Sequence, residues 1–307
     1  MERVLVTGGC GFIGSHIVDQ LIEQNYEVAV VDNLSTGKID NIPHEKVTFY
    51  ECDIVSDFLQ KVVEDFKPTY IIHQAAQASV PVSINDILLD TDINIRGSVN
   101  IIDAARKNNV KKIVFASTAA VYGEPQYLPI DEEHPINPQS PYGLSKYTIE
   151  QYLKMAHHLY GLDYTILRYS NVYGPRQDAN GEGGVVAIFA DKLNRGETPV
   201  IYGDGEQTRD FIYVGDIARM NVLSLSSERF RLYNVSTSTE TSVNQLFKNL
   251  IQIGGFETNC AIYKESRQGD IKNSVLSNKR MLEQLPCTTT LKEGFVEFIE
   301  RKFQFTT

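Results

Sequence analysis

The stretch VLVTGGCGFIGS, residues 4–15, says most about the architecture of this chain. It opens as a short apolar, β-branched run typical of a buried strand, and the glycines Gly8, Gly11 and Gly14 follow before a helical apolar pattern begins. Glycines at this spacing let the backbone turn tightly and approach a pyrophosphate, whose charge is favoured by the free N–H groups at a helix N-terminus. The stretch therefore predicts a dinucleotide site, with a plain strand-to-helix turn as the alternative.

Short apolar runs alternate with amphipathic stretches along the first half of the chain. The runs are RVLVT, EVAVVD, VTFYECD, TYIIHQ, KIVFAS and YTILRYS. This alternation predicts a parallel sheet covered by helices on both faces. We therefore expect an α/β protein. A doubly wound parallel (Rossmann) sheet would occupy residues 1–168, with segments near 210–235 returning to it, and a smaller C-terminal α/β substrate-binding lobe would occupy residues 169–307.

Length and composition are those of an ordinary globular protein. The chain has 307 residues, 42% of them hydrophobic, and a net charge of −10. No apolar run approaches the roughly 20 residues that span a bilayer, and the start MERVLVTGG lacks a secretory leader, so we expect a cytoplasmic protein without a membrane partner. The charge, with no basic stripe, disfavours nucleic acid as a partner. The four scattered cysteines are interpreted as buried thiols, and no metal site is predicted.

The second apolar run, EVAVVD, ends in Asp32, 18 positions beyond Gly14. A carboxylate there can accept hydrogen bonds from both hydroxyls of an adenosine ribose and would repel a 2′-phosphate. Since Asn33 and Leu34 follow rather than an arginine, the sequence favours NAD over NADP. Asp53, after the third run, could reach the adenine or cap a local turn.

Tyr142 and Lys146 lie four residues apart in SPYGLSK, residues 140–146. One helical turn places them on the same face, so the ammonium could stabilise the phenolate and make the tyrosine a usable base. The spacing alone proves nothing, because a chain with 16 tyrosines offers such a pair by chance. Their role depends on what the rest of the chain builds around them.

Eight sequence blocks provide that context. They are TGGCGFIGS, HQAAQASV, NIRGSVNIIDAA, ASTAAVYG, SPYGLSK, LRYSNVYGPRQ, YGDGEQTRDFIYV and RQGD, and they span nearly the whole chain. In order and approximate spacing they resemble the extended short-chain dehydrogenase/reductase family, in its NAD-dependent epimerase/dehydratase group, and most closely the nucleotide-sugar 4-epimerases. The resemblance implies bound NAD, a UDP-hexose substrate, and a homodimer formed through helices near 88–108 and 141–158.

The resemblance also assigns roles to residues. It implies that Tyr142 takes the proton of the sugar 4-hydroxyl, that Thr118 hydrogen-bonds the same oxygen, and that Lys146 also holds the nicotinamide ribose. The cofactor-binding set that it implies is Gly8, Gly11, Phe12, Ile13, Gly14, Asp32, Asn33, Asp53, Ile54, Gln74, Ala75, Ala76, Asn94, Tyr142 and Lys146. The substrate-binding set is Ser79, Val80, Thr118, Asn171, Tyr202, Arg209, Arg267, Asp270 and Ser274.

Within the substrate-binding set, Arg209 and Arg267 match the family's pyrophosphate-binding arginines, whose forked guanidinium groups suit phosphate. Asn171 resembles the family's diphosphate-contacting asparagine, Asp270 a partner of a ribose or an arginine, and Tyr202 the wall beside the uracil. Ser79 and Val80 would line the sugar.

Three departures from relatives narrow the expected reaction. Ala119 and Ala120 stand where related dehydratases carry the Asp-Glu pair that eliminates water, so dehydration is disfavoured. Pro81 stands where enzymes of glucuronate commonly have an arginine for the carboxylate, so a neutral hexose fits better. Ser274, four residues past Asp270, stands where family members that convert only plain hexoses often have a bulky tyrosine, so the resemblance implies room for a 2-acetamido group. We therefore expect interconversion of UDP-GlcNAc and UDP-GalNAc beside that of UDP-glucose and UDP-galactose.

Two alternatives stay open from the sequence. The chain could be another nucleotide-sugar-modifying enzyme, such as a UDP-glucuronate epimerase, a decarboxylase or a reductase. It could also be a non-catalytic dinucleotide sensor, because a fold does not dictate a function. A sensor would have no reason to keep Thr118, Tyr142 and Lys146 together.

Overall fold

The computed structural model describes residues 2–179, 184–227, 230–257, 260–266, 271–286 and 288–303. Its β-strands, in chain order, are β1 (Arg3–Thr7), β2 (Glu27–Asp32), β3 (Thr48–Glu51), β4 (Tyr70–His73), β5 (Lys112–Thr118), β6 (Asp163–Tyr169), β7 (Asn171–Tyr173), β8 (Val200–Tyr202), β9 (Thr208–Arg209), β10 (Phe211–Tyr213), β11 (Leu232–Val235), β12 (Thr241–Ser242) and β13 (Ile262–Lys264).

The α-helices connect and cover these strands. They are α1 (Phe12–Glu23), α2 (Phe58–Phe66), α3 (Val80–Asn85), α4 (Ile87–Asp90), α5 (Ser98–Lys107), α6 (Pro141–Tyr160), α7 (Val185–Asn194), α8 (Val214–Ser226), α9 (Val243–Gly254), α10 (Lys279–Leu282) and α11 (Leu291–Phe303). A π-helical segment, Thr91–Gly97, joins α4 to α5, and short 3₁₀ turns occupy Ile39–Asn41, His44–Lys46 and Ala119–Val121.

The chain divides into two compact units. The larger unit comprises Met1–Gly123, Pro135–Tyr169 and Ile217–Tyr233. The smaller unit comprises Glu124–His134, Ser170–Asp216 and Asn234–Thr307.

A seven-stranded sheet, in the order β11-β6-β5-β4-β1-β2-β3, organises the larger unit. The strands β1 to β6 pair in parallel throughout. The chain builds outward from β1 to β3, then returns to β4 on the other side of β1 and builds outward again, which is the doubly wound topology. The predicted fold class is confirmed. Ligands of such sheets bind outside the carboxyl ends of the strands, at the point between β1 and β4 where the order reverses.

Burial explains why the apolar runs form the central strands. In β1, β2, β5 and β6 all but the residues at one end are buried, so both faces of each strand are covered. The edge strand β3 has no buried residue. Each fully buried Val, Leu or Ile side chain contributes about 1.5–3 kcal/mol relative to an exposed one. The continuous apolar runs therefore form the central strands of the sheet, where both faces are covered.

The smaller unit is built from short strand pairs and helices. Its strands pair as β7 with β10, β8 with β13 and β9 with β12. Aromatic side chains hold the helices in place: the rings of Phe189 and Phe247 lie 5.9 Å apart and those of Tyr173 and Phe295 5.1 Å apart, both edge to face. Such pairs add about 0.5–1.5 kcal/mol each beyond their burial.

The expectation that the cysteines are buried has a mixed outcome. Cys10 and Cys52 are buried as predicted, whereas Cys260 is exposed, so its interpretation as a buried thiol is wrong. It lies just before β13, whose three residues are all exposed. Cys287 lies outside the described residues. Within the described part of the chain, no helix is long and apolar enough to cross a membrane.

Candidate active site

The glycine turn after β1 brings three backbone segments into close contact. Gly8 has a φ of +67°, and a Cβ there would lie 2.7 Å from the backbone nitrogen of Ala75. A Cβ on Gly14 would lie 2.1 Å from the carbonyl oxygen of Gly8. Any side chain at either position would force the backbone apart, so only glycine fits.

Helix α1 presents an uncapped N-terminus at this turn. Gly11 is its N-cap residue and offers no side chain to the first turn, which also contains no acidic residue. The first N–H groups of a helix have no acceptor within it, and at this helix they belong to Phe12, Ile13 and Gly14. Their partial positive charge suits an anion such as a pyrophosphate.

Asp32 closes β2 beside the same turn. Its Oδ2 accepts from the backbone N–H of Cys10 and its Oδ1 from that of Leu34, both at 2.9 Å. Burial raises the pKa of this carboxyl, and the two hydrogen bonds oppose that shift. Each carboxylate oxygen has a second lone pair, so the side chain can accept further hydrogen bonds from a ligand hydroxyl.

Asp53 orders its own turn and a neighbouring loop. Its Oδ1 accepts from the N–H of Val55 at 3.0 Å, and its Oδ2 accepts from Nδ2 of Asn33 at 2.9 Å. Ile54 beside it is buried. These contacts match the capping alternative for Asp53, and its contact with an adenine stays a prediction.

The loop after β4 is fixed against the end of β1. The backbone N–H groups of Gln74 and Ala75 donate to the carbonyl and the side-chain oxygen of Thr7, at 3.1 and 3.3 Å. The amide of Gln74 also donates to the Tyr169 hydroxyl at 3.1 Å and to Asn221 at 3.0 Å. Ala76 continues this loop. The residues Gln74, Ala75 and Ala76 therefore lie at the reversal point of the strand order.

Asn94 lies in the π-helical segment and connects two parts of the larger unit. Its Oδ1 accepts from the backbone of Gln77 at 2.9 Å, while its Nδ2 donates to Asp90 at 2.9 Å and to Ser145 on α6 at 3.3 Å. Asp90 is buried and also accepts from the side chain of Gln77 at 3.0 Å. Sequence reasoning named Asn94 but missed Asp90 and Gln77. Only the position of Gln77 inside the block HQAAQASV pointed to it.

Ser79 and Val80 follow in the same loop. Ser79 is the N-cap of α3, where its hydroxyl accepts from the N–H of Val82 at 3.3 Å. Val80 is 37% exposed. Ser79 therefore has a structural role, and the contact of both residues with a sugar stays a prediction.

Tyr142 and Lys146 lie on the first turns of α6. Ser140 caps this helix by accepting from the N–H of Gly143 at 3.1 Å. Lys146 is buried, and its Nζ donates to the backbone oxygen of Ala116 at 3.0 Å. That Nζ lies 6.0 Å from the centre of the Tyr142 ring. A buried ammonium therefore stands beside the phenol, one helical turn away.

Thr118 ends β5 at the same place. Its hydroxyl accepts from the N–H of Ala120 at 3.1 Å, and a Cβ on Gly143 would lie 2.6 Å from the oxygen of Ala120. The first turn of α6 thus packs directly on the turn that follows Thr118. Tyr169, the cross-strand neighbour of Thr118, has its pKa raised by burial and also by the nearby phenol of Tyr142. The structure therefore brings the three predicted catalytic residues together.

His73 lies beneath these residues at the end of β4. Its ring nitrogens contact the hydroxyls of Thr7, at 2.6 Å, and Ser98, at 2.8 Å. Burial and then the ammonium of Lys146 lower the pKa of His73 to about 3. The imidazole is therefore neutral at physiological pH, and no sequence pattern indicated its position beneath the site.

In the smaller unit, the segment Thr208–Asp210 brings three predicted substrate residues together. Arg209 is its middle residue. The backbone N–H of Asn171 donates to the oxygen of Asp210 at 2.9 Å, and that of Ser274 donates to the oxygen of Thr208 at 3.3 Å. One short segment therefore carries the arginine and aligns the loops on either side of it.

Asp210 fixes this segment and was missed by sequence reasoning. Its buried carboxylate accepts from the backbone and hydroxyl of Thr237, at 2.9 and 2.8 Å, and from the N–H of Ser238 at 3.0 Å. Burial raises its pKa, and these hydrogen bonds oppose the shift. The only sequence feature that pointed to Asp210 was its position next to Arg209, in a block that resembles those of the family.

Tyr202 ends β8, and its backbone oxygen accepts from the side chain of Gln207 at 2.7 Å, just before Thr208. Arg267 and Asp270 lie outside the described residues.

Comparison with known proteins agrees with this arrangement. Residues 4–236 match the model of the NAD dependent epimerase/dehydratase family. A relative in Methanocaldococcus jannaschii, whose name assigns it provisionally as a UDP-glucose 4-epimerase, is 51% identical over 278 residues, which cover 90% of each chain. A solved UDP-glucose 4-epimerase of Thermotoga maritima with UDP-glucose is 44% identical, with a TM-score of 0.95 over 99% of each chain.

A second solved structure widens the comparison. It is a UDP-N-acetylglucosamine 4-epimerase of Methanobrevibacter ruminantium M1 in complex with UDP-N-acetylmuramic acid. It is 40% identical, with a TM-score of 0.92 over 98% of this chain and 97% of that one. The matches to the family model and to these relatives extend over most of the chain, and they show that it belongs to the NAD-dependent epimerase/dehydratase family.

Proposed function

We propose that this protein is an NAD-dependent 4-epimerase of UDP-hexoses. The observation that carries the proposal is the buried Lys146 ammonium, 6.0 Å from the ring of Tyr142 and bonded to the strand that ends at Thr118. A base, its neighbouring cation and a hydroxyl donor thus meet at the carboxyl edge of a dinucleotide-binding sheet. The printed names of the similar proteins, UDP-glucose and UDP-N-acetylglucosamine 4-epimerases, support the same reaction.

The larger unit offers groups that fit NAD. The uncapped N-terminus of α1 suits the pyrophosphate, and the free lone pairs of Asp32 suit the hydroxyls of the adenosine ribose. Gln74, Ala75, Ala76 and Asn94 would line the nicotinamide side. When bound, NAD supplies the reversible hydride acceptor that lets C4 of the sugar be oxidised and then reduced from its opposite face.

The chain's own residues would handle the proton. Tyr142, as phenolate, accepts the proton of the sugar 4-hydroxyl while Thr118 hydrogen-bonds the same oxygen. Lys146 favours the phenolate by its charge. The proton returns from Tyr142 to the oxygen in the second half of the reaction, so the residue ends as it began.

The smaller unit would hold the nucleotide part of the substrate. Arg209, with Arg267, would bind the diphosphate, whose geometry suits a guanidinium fork. Asn171 and Ser274 flank the Arg209 segment through backbone hydrogen bonds, which supports their assignment to the same site. Tyr202 would face the base, and Ser79 and Val80 the sugar.

We further propose that the enzyme accepts acetylated as well as plain hexoses. The small side chain of Ser274 leaves space that a tyrosine would fill. The similar enzyme of Methanobrevibacter ruminantium is named for UDP-N-acetylglucosamine, which supports the wider range. The assignments of residues 1–168 to NAD, of 169–307 to the nucleotide sugar, and of a homodimer belong to the same proposal.

The test is turnover without added cofactor. Purified protein is incubated with UDP-glucose, UDP-galactose and the two UDP-N-acetylhexosamines, and products are separated by chromatography. We expect each sugar to reach a mixture with its 4-epimer without net NADH. Accumulation of NADH or release of CO₂ would instead identify a reductase or a decarboxylase.

Two tyrosine variants make that test specific. Tyr142→Phe removes the base and is expected to lower turnover by about 10²–10⁴-fold. Tyr147→Phe, on the same helix but outside the proposed site, is the matched control and should keep wild-type activity. Equal activity of the two variants would refute the assignment of Tyr142.

A further inference from the structure

A buried ion pair lies behind the catalytic residues of the larger unit. Glu150, on α6, is 0% exposed, and Arg168, on β6, is 2% exposed. Arg168 donates to Glu150 through Nε at 2.9 Å and through Nη2 at 2.5 Å, the two-pronged geometry of a strong guanidinium–carboxylate pair. The guanidinium also lies 4.7 Å from the centre of the Tyr122 ring.

Stability alone does not explain such a pair. Removing two charges from water costs so much that well-packed apolar residues of similar volume often stabilise a protein equally well or better. Burial by itself would lower the pKa of Arg168, but the hydrogen bonds and charge of Glu150 outweigh it and raise that pKa. The guanidinium therefore stays charged inside the core.

The contacts of the pair supply another explanation. Oε1 of Glu150 also accepts from the hydroxyl of Ser117 at 2.6 Å. Ser117 is the cross-strand partner of Arg168, and it immediately precedes Thr118 on β5. One carboxylate on α6 thus holds both β5 and β6, one residue before each strand ends at the site.

A second polar contact ties the same helix to the same strand. Glu150 lies four residues after Lys146, so the two share one face of α6. Lys146 donates to Ala116, and Glu150 accepts from Ser117, the next residue of β5. Directional bonds from two successive turns fix both the rotation of α6 about its axis and its position along β5, which apolar contacts alone define less sharply.

We propose that Glu150 is a positioning residue that fixes the rotation of α6. Arg168 and Ser117 hold its carboxylate in place. Through this anchor, the first turn of α6, which carries Tyr142, is kept against the turn that follows Thr118. The inference rests on the proposed epimerase function for its kinetic consequence, but its structural consequence can be measured without it.

The decisive variant is Glu150→Leu combined with Arg168→Met. It replaces the pair by apolar side chains of similar volume and leaves no unpaired buried charge, so it should unfold at a temperature near that of the wild type. We expect its kcat to fall about 10–100-fold, because misplacement by about 1 Å has that effect on a reaction. The KM for UDP-glucose should stay within about threefold.

Two further variants separate positioning from stability. Ser117→Ala keeps the ion pair but removes its link to β5, and it should lower kcat by about 3–10-fold at unchanged KM. The control is Lys112→Met at the other end of the same two strands, where buried Lys112 lies 3.5 Å from Asp163. It should lower the unfolding temperature and leave the kcat of the folded enzyme within about twofold.

A crystal structure of the double variant supplies a readout that does not depend on activity. We expect α6 to shift and the contact between Nζ of Lys146 and the oxygen of Ala116 to be lost, whereas Lys112→Met keeps it. If the double variant keeps that contact, or keeps the wild-type kcat, the inference about Glu150 is wrong. Either result leaves the epimerase proposal intact. If the wild type converts no UDP-hexose, the proposed function fails, and the Lys146 contact alone decides the inference.

Discussion

The ammonium of Lys146 donates to the backbone oxygen of Ala116 at 3.0 Å, two residues before β5 ends at Thr118. This bond orients a buried cation whose Nζ lies 6.0 Å from the centre of the Tyr142 ring and 5.0 Å from that of the Phe115 ring. A lysine so held has little freedom to turn away from the phenol. The charge that would stabilise the phenolate is therefore fixed before any ligand binds.

Replacement of Lys146 should affect activity far more than folding. We expect Lys146→Met to lower kcat by about 10²–10³-fold, since the phenolate loses its neighbouring cation. The methionine side chain is apolar and only one heavy atom shorter than that of lysine, so it still fills most of the buried space. Steady-state kinetics with UDP-glucose measure the effect. The control is Lys154→Met, on the exposed side of the same helix, and equal kinetics of the two variants would contradict the role of Lys146.

His73 should make the protein sensitive to acid. Its folded pKa of about 3 is far below the ordinary histidine value of 6.5, because of burial and then of the Lys146 ammonium. The unfolded chain therefore binds the proton first, so stability falls as the pH drops from about 6.5 towards 3. At pH 5 the loss from this residue is about 2 kcal/mol.

Urea unfolding of wild type and of His73→Gln, at pH 7 and pH 5, measures this difference. The variant should lose less stability than the wild type between the two pH values. The matched control is His44→Gln, whose side chain is 72% exposed and which should behave as the wild type does. Identical pH dependence of wild type and His73→Gln would show that His73 is not the acid-sensitive group.

The parts of the fold that could be predicted are those that a local pattern of residue types indicates. The apolar runs of β1 to β6 identify buried parallel strands by themselves, and Gly8 and Gly14 identify a turn that no other residue can form. Tyr142 and Lys146 needed only the helical repeat to be placed on one face. In each case the signal that allows the prediction lies within a short stretch of sequence.

The features that could not be predicted depend on distant partners. Glu150 is hydrogen-bonded to Arg168, 18 positions further along the chain. Asp210 is hydrogen-bonded to Leu276, which is 66 positions away. Periodicity contains no information about such pairs. The π-helical turn around Asn94 was missed for a related reason, since its composition does not differ from that of an ordinary helix.

Asp32 should determine the choice of dinucleotide. Asp32→Asn keeps the shape but replaces one acceptor by an amide, so either Cys10 or Leu34 loses its hydrogen-bond acceptor. We expect the affinity for NAD to fall about 10–100-fold, and the preference over NADP to shrink because the negative charge is gone. Fluorescence titration with both dinucleotides measures this. Asp40→Asn, at an exposed position in the loop that follows, should change neither affinity.

Ser274 should decide whether acetylated sugars are accepted. Its backbone N–H donates to the oxygen of Thr208, so the residue lies beside the segment Thr208–Asp210 that carries Arg209. We expect Ser274→Tyr to lower kcat/KM for UDP-GlcNAc by about 10²-fold through steric exclusion, and to leave that for UDP-glucose within about threefold. Ser274→Ala, which stays small, is the control. Unchanged turnover of the acetylated sugar by Ser274→Tyr would remove this residue from the specificity site.

Exposed apolar side chains on α3 and α4, at the start of the predicted 88–108 part of the homodimer interface, should belong to that interface. Leu88 is 81% exposed, and Ile84 and Ile87 are 57% and 58% exposed, which is costly for a monomer and typical of a covered surface. We expect light scattering to give a dimer for the wild type and a monomer for Leu88→Glu, because a charge would be buried without a partner. Leu282→Glu, at a 39% exposed position in the smaller unit, should stay dimeric. A wild-type monomer, or a dimer that persists in Leu88→Glu, would place the interface elsewhere or rule it out.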